Sequence, residues 1–120
     1  MTYSEMKNIL MAISDPVEKL EMVMDFGRLL SPVPDGALCS EILGCASHVE
    51  ICRYNNIFFA RADSALVRGI VMIIIEMLRG KTVDEIKQTD INAEFKELNI
   101  NLGAGRLNGL NSMISFFHNL

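Results

Sequence analysis

The chain has 120 residues, half of them hydrophobic and 22% charged, with a formal charge of -4, three cysteines and no tryptophan. That length suits one domain, residues 1–120, with enough apolar content to bury a core, which excludes a disordered chain. The acidic balance, with no run of Lys and Arg, excludes the usual electrostatic footprint of a nucleic-acid binder. An odd cysteine count argues against a secreted disulfide framework and leaves at least one thiol unpaired, which points to a reducing compartment. MTYSEMKNILMAIS lacks the pattern of a signal peptide. The longest apolar run, Ile70 to Ile75, is far below the roughly 18 residues of a membrane span. The expected protein is therefore cytoplasmic, with no membrane partner.

In chain order, Ser4 can cap a first helix whose inward residues are Met6, Ile9, Leu10 and Ile13, ending at Ser14. Asp15-Pro16-Val17-Glu18 combines a cap residue, a proline at the first helical position and a glutamate three residues after the cap. It opens a second helix with Leu20, Val23, Met24, Gly27 and Leu30 as its inward stripe. Two prolines make residues 31–36 a loop. The pattern then changes. Residues 48–54 and 57–62 are strands joined at Asn55-Asn56, since asparagine tolerates positive φ, and residues 38–43 supply the first strand of an antiparallel meander.

From Asp63 or Ser64 to Arg79 the chain reads as the central helix, apolar nearly all round and stopped by Gly80. Thr82-Val83-Asp84-Glu85 is a capping box for a short helix. Another helix follows Asp90, and a last one runs from about Gly105 to His118. The expected class is α+β, a small three-stranded antiparallel sheet packed against several α-helices. Met6, Met24, Met72 and Met77 lie on helical stripes as core filler.

The chain has no GxGxxG, GxxxxGK[ST], HExxH, GxSxG or CxxC motif, and only two histidines, so hydrolase triads are poor fits. The thiols remain. Cys52 lies within a strand pattern and Cys39 has no motif around it, and both read as buried structural cysteines. Cys45 is different, because Gly44 before it and Ala46-Ser47 after it are small and place its thiol on a loop or strand edge that another sulfur can approach. A competing reading gathers Cys39, Cys45, Cys52 and His48 as ligands for zinc or an iron-sulfur cluster, although their spacing matches no zinc knuckle. His48 itself reads as bland, with strand spacing setting it on the face opposite Cys45.

At these residues the chain resembles the SufE family of sulfur acceptors. The family's V-x-G-C-x-S-x-V motif appears as Ile42-Leu43-Gly44-Cys45-Ala46-Ser47-His48-Val49. Its S-D-A-x-[IL]-V-[RK]-G segment appears as Ala62-Asp63-Ser64-Ala65-Leu66-Val67-Arg68-Gly69, and its L-S-P-S-R-x-N-G-L segment as Leu102-Gly103-Ala104-Gly105-Arg106-Leu107-Asn108-Gly109-Leu110. A weaker block, Gly80-Lys81-Thr82-Val83-Asp84-Glu85-Ile86, resembles G-x-T-x-x-E-I. Glu50 stands where the family usually has tryptophan, and Gly103-Ala104-Gly105 replaces Ser-Pro-Ser.

The resemblance implies a SufE/IscU-like fold and a carrier of persulfide sulfur, an accessory protein rather than a stand-alone enzyme. It would activate a SufS-type cysteine desulfurase and pass sulfur to a SufBCD-type cluster scaffold. Cys45 would be the acceptor, sheltered at rest. Gly44, Ser47, Asp63, Arg106 and Asn108 would support it or face the partner. No cofactor is expected on this chain, because pyridoxal phosphate would belong to the desulfurase, and the protein would be a monomer or homodimer. For Asp63 the structural alternative is a helix N-cap, and for Arg106 a solvated charge or an ion pair. Asn108 and Gly109 would shape the packing of the last helix. A scaffold holding zinc or a cluster, and an adaptor with inert thiols, are the other classes.

Overall fold

The computed structural model describes residues 1–120. Helices α1 (Tyr3–Ala12) and α2 (Pro16–Gly27) precede strands β1 (Leu38–Glu41), β2 (Val49–Tyr54) and β3 (Ile57–Ala62). Four helices follow: α3 (Ala65–Leu78), α4 (Val83–Gln88), α5 (Ile91–Leu98) and α6 (Gly103–His118). The α+β architecture is the one expected, with the sheet an open antiparallel meander in the order β1-β2-β3.

Local chemistry explains most of the boundaries. Asp15 caps α2 ahead of Pro16, and Thr82 and Glu85 form the reciprocal capping box of α4. For α1 the cap is Thr2, paired with Glu5, and not Ser4, which lies inside the helix. The second helix ends at Gly27 rather than near Leu30, and α6 begins two residues before Gly105 with no side-chain cap. Asn55 and Asn56 both take positive φ, 50° and 62°, as a tight hairpin requires, so the β2–β3 register follows directly from this turn.

Helix α3 is the centre of the molecule. It buries ten residues, among them Ile70, Val71, Ile73 and Ile74 at 1% exposure or less. Isoleucine and valine favour strands, but a helix enclosed by its neighbours can be apolar all round, and capping by Ser64 and a stop at Gly80 (φ +77°) delimit it. It crosses α2 where Gly69 meets Val23, so closely that a Cβ on Gly69 would lie 1.9 Å from the Val23 carbonyl oxygen. On its other side it packs against β3, and Phe117 of α6 closes the core edge-to-face on Phe58 at 5.0 Å. Met6, Met72 and Met77 are in the core, and Met24 packs against it.

The cysteines depart from expectation. Cys39 is exposed rather than buried, and it is bonded to Cys52. The cause is register: Cys39 and Cys52 face each other directly across β1 and β2. The Ile42 N–H donates to the Val49 carbonyl at 2.8 Å, which makes Ile42–Val49, Ser40–Ile51 and Leu38–Arg53 the hydrogen-bonded pairs. Cys39–Cys52 is thus a non-hydrogen-bonded pair, the position where opposed side chains approach closest, with Cα atoms 4.0 Å apart. An odd count of three did leave one thiol free, Cys45, but it did not exclude a disulfide.

Candidate functional site

The loop between β1 and β2 carries Cys45. Ile42, 7% exposed, anchors its start in the core, and the Asp63 N–H donates to the His48 carbonyl at 3.2 Å, tying its end to the approach of α3. Between these anchors the chain turns at Gly44, whose φ of +90° only glycine adopts readily. A Cβ there would also lie 2.6 Å from Ser112 Oγ of α6, so Gly44 serves both the turn and the close approach to that helix. The Ser112 hydroxyl is itself engaged, donating to the Asn108 carbonyl at 3.1 Å.

This turn delivers the Cys45 thiol onto α6 at Gly109. The sulfhydryl donates to the Gly109 carbonyl at 3.8 Å, and a Cβ at Gly109 would lie 3.2 Å from the sulfur. Glycine at 109 therefore makes the seat in which the sulfur rests. Cys45 is half-buried, and burial pushes its thiol above the ordinary value, so at neutral pH it rests protonated. Leu43, 77% exposed, and Leu107, 45% exposed, flank the motif residues as apolar surface. A sheltered, unpaired thiol on an anchored loop can exchange at sulfur once lifted into contact with a charge-stabilising partner.

The other sequence-selected residues divide. Ser47 is half-buried in the same loop. Asp63 is exposed and is not the α3 cap, a role held by Ser64, whose hydroxyl accepts from the Val67 N–H. Arg106 and Asn108 are exposed on the first turns of α6, and Arg106 makes no ion pair. Asn108 contributes its carbonyl, not a packed side chain, whereas Gly109 does shape the contact with Cys45.

The four-ligand cluster of Cys39, Cys45, Cys52 and His48 is not assembled. Cys45 lies against α6, Cys39 and Cys52 are bonded to each other, and the His48 ring sits between Glu41 (Nδ1 to Oε1, 3.5 Å) and Glu50 (Nε2 to Oε1, 3.3 Å). Sequence reasoning missed Ser112 and the Cys39–Cys52 pairing. A G-C-x-S loop says nothing of the helix it will meet, and the β1–β2 register is set by a loop too long to read as a turn type.

The family model for "SufE: Fe-S metabolism associated domain" matches residues 4–119. The chain is 29% identical over 109 residues to an uncharacterised SufE-like protein of Rhizobium meliloti, covering 81% of this chain and 78% of that one. It is 26% identical over 122 residues to the sulfur acceptor protein CsdE of Escherichia coli, covering 94% and 83%. With the chloroplastic/mitochondrial SufE-like protein 1 of Arabidopsis thaliana it shares 28% over 118 residues, 92% of this chain but 32% of that longer protein.

Proposed function

The chain belongs to the SufE family, and from that premise we propose that it accepts sulfur on Cys45 from a pyridoxal-phosphate-dependent cysteine desulfurase of the SufS type. The observation that carries this reading is the seating of the one free thiol, Cys45, on an anchored loop against Gly109 of α6. The Cys45 thiolate attacks the outer sulfur of the donor persulfide. A new sulfur-sulfur bond forms on Cys45, the donor's sulfur-sulfur bond breaks, and the donor cysteine leaves as thiolate.

The seat accounts for two requirements of a carrier. Protonated and held against α6, the thiol is a weak nucleophile toward stray oxidants and electrophiles. Docking of a partner on the exposed Leu43 and Leu107 would lift the loop, return the thiol to a solvated or cationic setting and lower its pKa, coupling reactivity to encounter. Gly44 supplies the hinge, while Asp63, Arg106 and Asn108 offer polar groups at the docking face. The loaded protein then hands its sulfur to a cluster scaffold of the SufBCD type.

Incubation with a cognate desulfurase and cysteine tests this. We expect faster alanine release and, by intact mass, a gain of about 32 Da, one sulfur atom, on Cys45. A Cys45→Ser variant that stimulated alanine release as well as the wild type would refute the carrier mechanism.

A further inference from the structure

The outer face of the β1–β2 hairpin gathers a second set of chemically active side chains, separate from Cys45. Cys39 and Cys52 occupy one non-hydrogen-bonded pair, and Glu41 and Glu50 occupy the next, so all four side chains leave the sheet on the same side. The two sulfurs and a Glu50 carboxylate oxygen lie within 4.8 Å of one another. Glu50 is held in place at both oxygens: Oε2 accepts from Arg61 Nη1 at 3.1 Å, and Oε1 lies 3.3 Å from His48 Nε2. A disulfide that served only to staple the hairpin needs no such carboxylate, whereas a metal-ligating carboxylate is typically oriented by groups of this kind.

We propose that in the dithiol state Cys39, Cys52 and Glu50 bind a soft divalent cation of the zinc type, and that disulfide formation closes the site. Two thiolates and one carboxylate are a donor set zinc accepts tetrahedrally, leaving a fourth position for water or the adjacent His48 ring. Thiolate sulfur selects such a cation over magnesium or calcium. The three negative charges are balanced by the divalent ion together with the Arg61 guanidinium. Cys39 is exposed and Cys52 buried, which sets the order of opening.

A dithiol reductant attacks the accessible Cys39 sulfur, the Cys39–Cys52 bond breaks, and Cys52 leaves as thiolate. The reductant's second thiol then displaces Cys39 and the reductant departs as its own disulfide, so two electrons and two protons reach the cysteine pair. The cation binds with loss of the two thiol protons. A small-molecule disulfide reverses the sequence: one thiolate attacks it and displaces one of its thiols, the second cysteine displaces the other, the Cys39–Cys52 bond re-forms as the oxidant takes up two electrons and two protons, and the ion is released.

The test uses Cys45→Ser protein, so that its outcome is independent of the sulfur-carrier reading. The protein is reduced with dithiothreitol, desalted anaerobically and titrated with zinc alone against a chromophoric chelator, with cobalt as a spectroscopic substitute. We expect one ion per chain in the reduced protein, loss of uptake after oxidation, and loss on combining Cys39→Ser with Cys52→Ser. Glu50→Gln should weaken binding about tenfold while the cobalt–thiolate absorption persists. Because the oxidised and reduced samples share one sequence, their comparison stands even if the double variant folds poorly. No uptake by the reduced protein, or uptake indifferent to oxidation, overturns the proposal.

Discussion

At the residue scale the behaviour of Cys45 follows from the contact with Gly109. Burial favours the neutral thiol, so the folded-state pKa lies above that of the unfolded chain, and less thiolate is present at pH 7 than on an exposed cysteine. The rate of Cys45 alkylation by iodoacetamide should therefore rise with pH along a curve whose midpoint lies above that of a free cysteine, and denaturant should bring that midpoint down to the ordinary value. Gly109→Ala adds a carbon 3.2 Å from the sulfur and should push the thiol outward, accelerating alkylation at fixed pH. The same substitution improves helix propensity by up to about 1 kcal/mol, so greater reactivity would not reflect a weaker fold. That Cys45 sits on a loop was legible from its small neighbours. The seat was not, because Gly109 lies 64 positions away and only the fold brings it under the sulfur.

Two junctions between elements carry distinct predictions. Where α2 crosses α3, Gly69 lies under the Val23 carbonyl and Gly27 under the Gly69 amide, so the helix axes are closer than any side chain permits. Gly69→Ala must move backbone and should cost about 3 kcal/mol or more, read as a lower denaturation midpoint at unchanged m-value. Gly69 closes the Ser-Asp-Ala-type block in sequence, and its purpose is this crossing rather than chemistry. Where α1 meets α5, Glu94 accepts from the Tyr3 hydroxyl at 2.6 Å and from Lys7 at 3.2 Å, and these bonds, the tyrosine's first, hold its carboxyl below the usual value. A carboxylate whose folded pKa is depressed contributes stability that is fully present above its unfolded pKa, about 4.3, and is lost as pH falls through the folded value. Glu94→Gln should thus lower stability at pH 7 and flatten its decline between pH 5 and 3, measured by urea unfolding across that range. Lys19 makes another such junction, its buried amine donating to the Leu98 carbonyl at 2.8 Å, at the negative end of α5.

For the whole molecule, the sheet is a thin outer layer on a helical core, and β1 is its weakest member. All four β1 residues are exposed, and β2 is its partner in the sheet. The Cys39–Cys52 bond spans 13 residues and encloses the Cys45 loop, so it restrains that loop in the unfolded chain and ties an edge strand in the folded one. Reducing it should lower stability by about 3 kcal/mol on loop-closure grounds, and Cys39→Ser with Cys52→Ser should abolish the difference between reducing and non-reducing conditions. Thiol titration of the unreduced, denatured protein should find one reactive thiol, rising to three after reduction. Failure of that rise would mean the pair is already a dithiol. No helix is long and apolar enough to cross a membrane.

The amino-acid sequence by itself determined the class of fold, the central helix, the Asn55-Asn56 hairpin and the identity of the loop cysteine. These depend on information that is local in the chain: apolar periodicity, capping residues, residues tolerant of positive φ, and short blocks in a given order. Only the tertiary structure decided that Cys39 and Cys52 face each other, that Cys45 rests on Gly109, and that Asp63 leaves the capping of α3 to Ser64. Each of these depends on register or on the meeting of distant elements. A strand's partner is chosen by faces and loop geometry that span the chain, and a shift of one residue would have sent Cys39 to the opposite side of the sheet from Cys52.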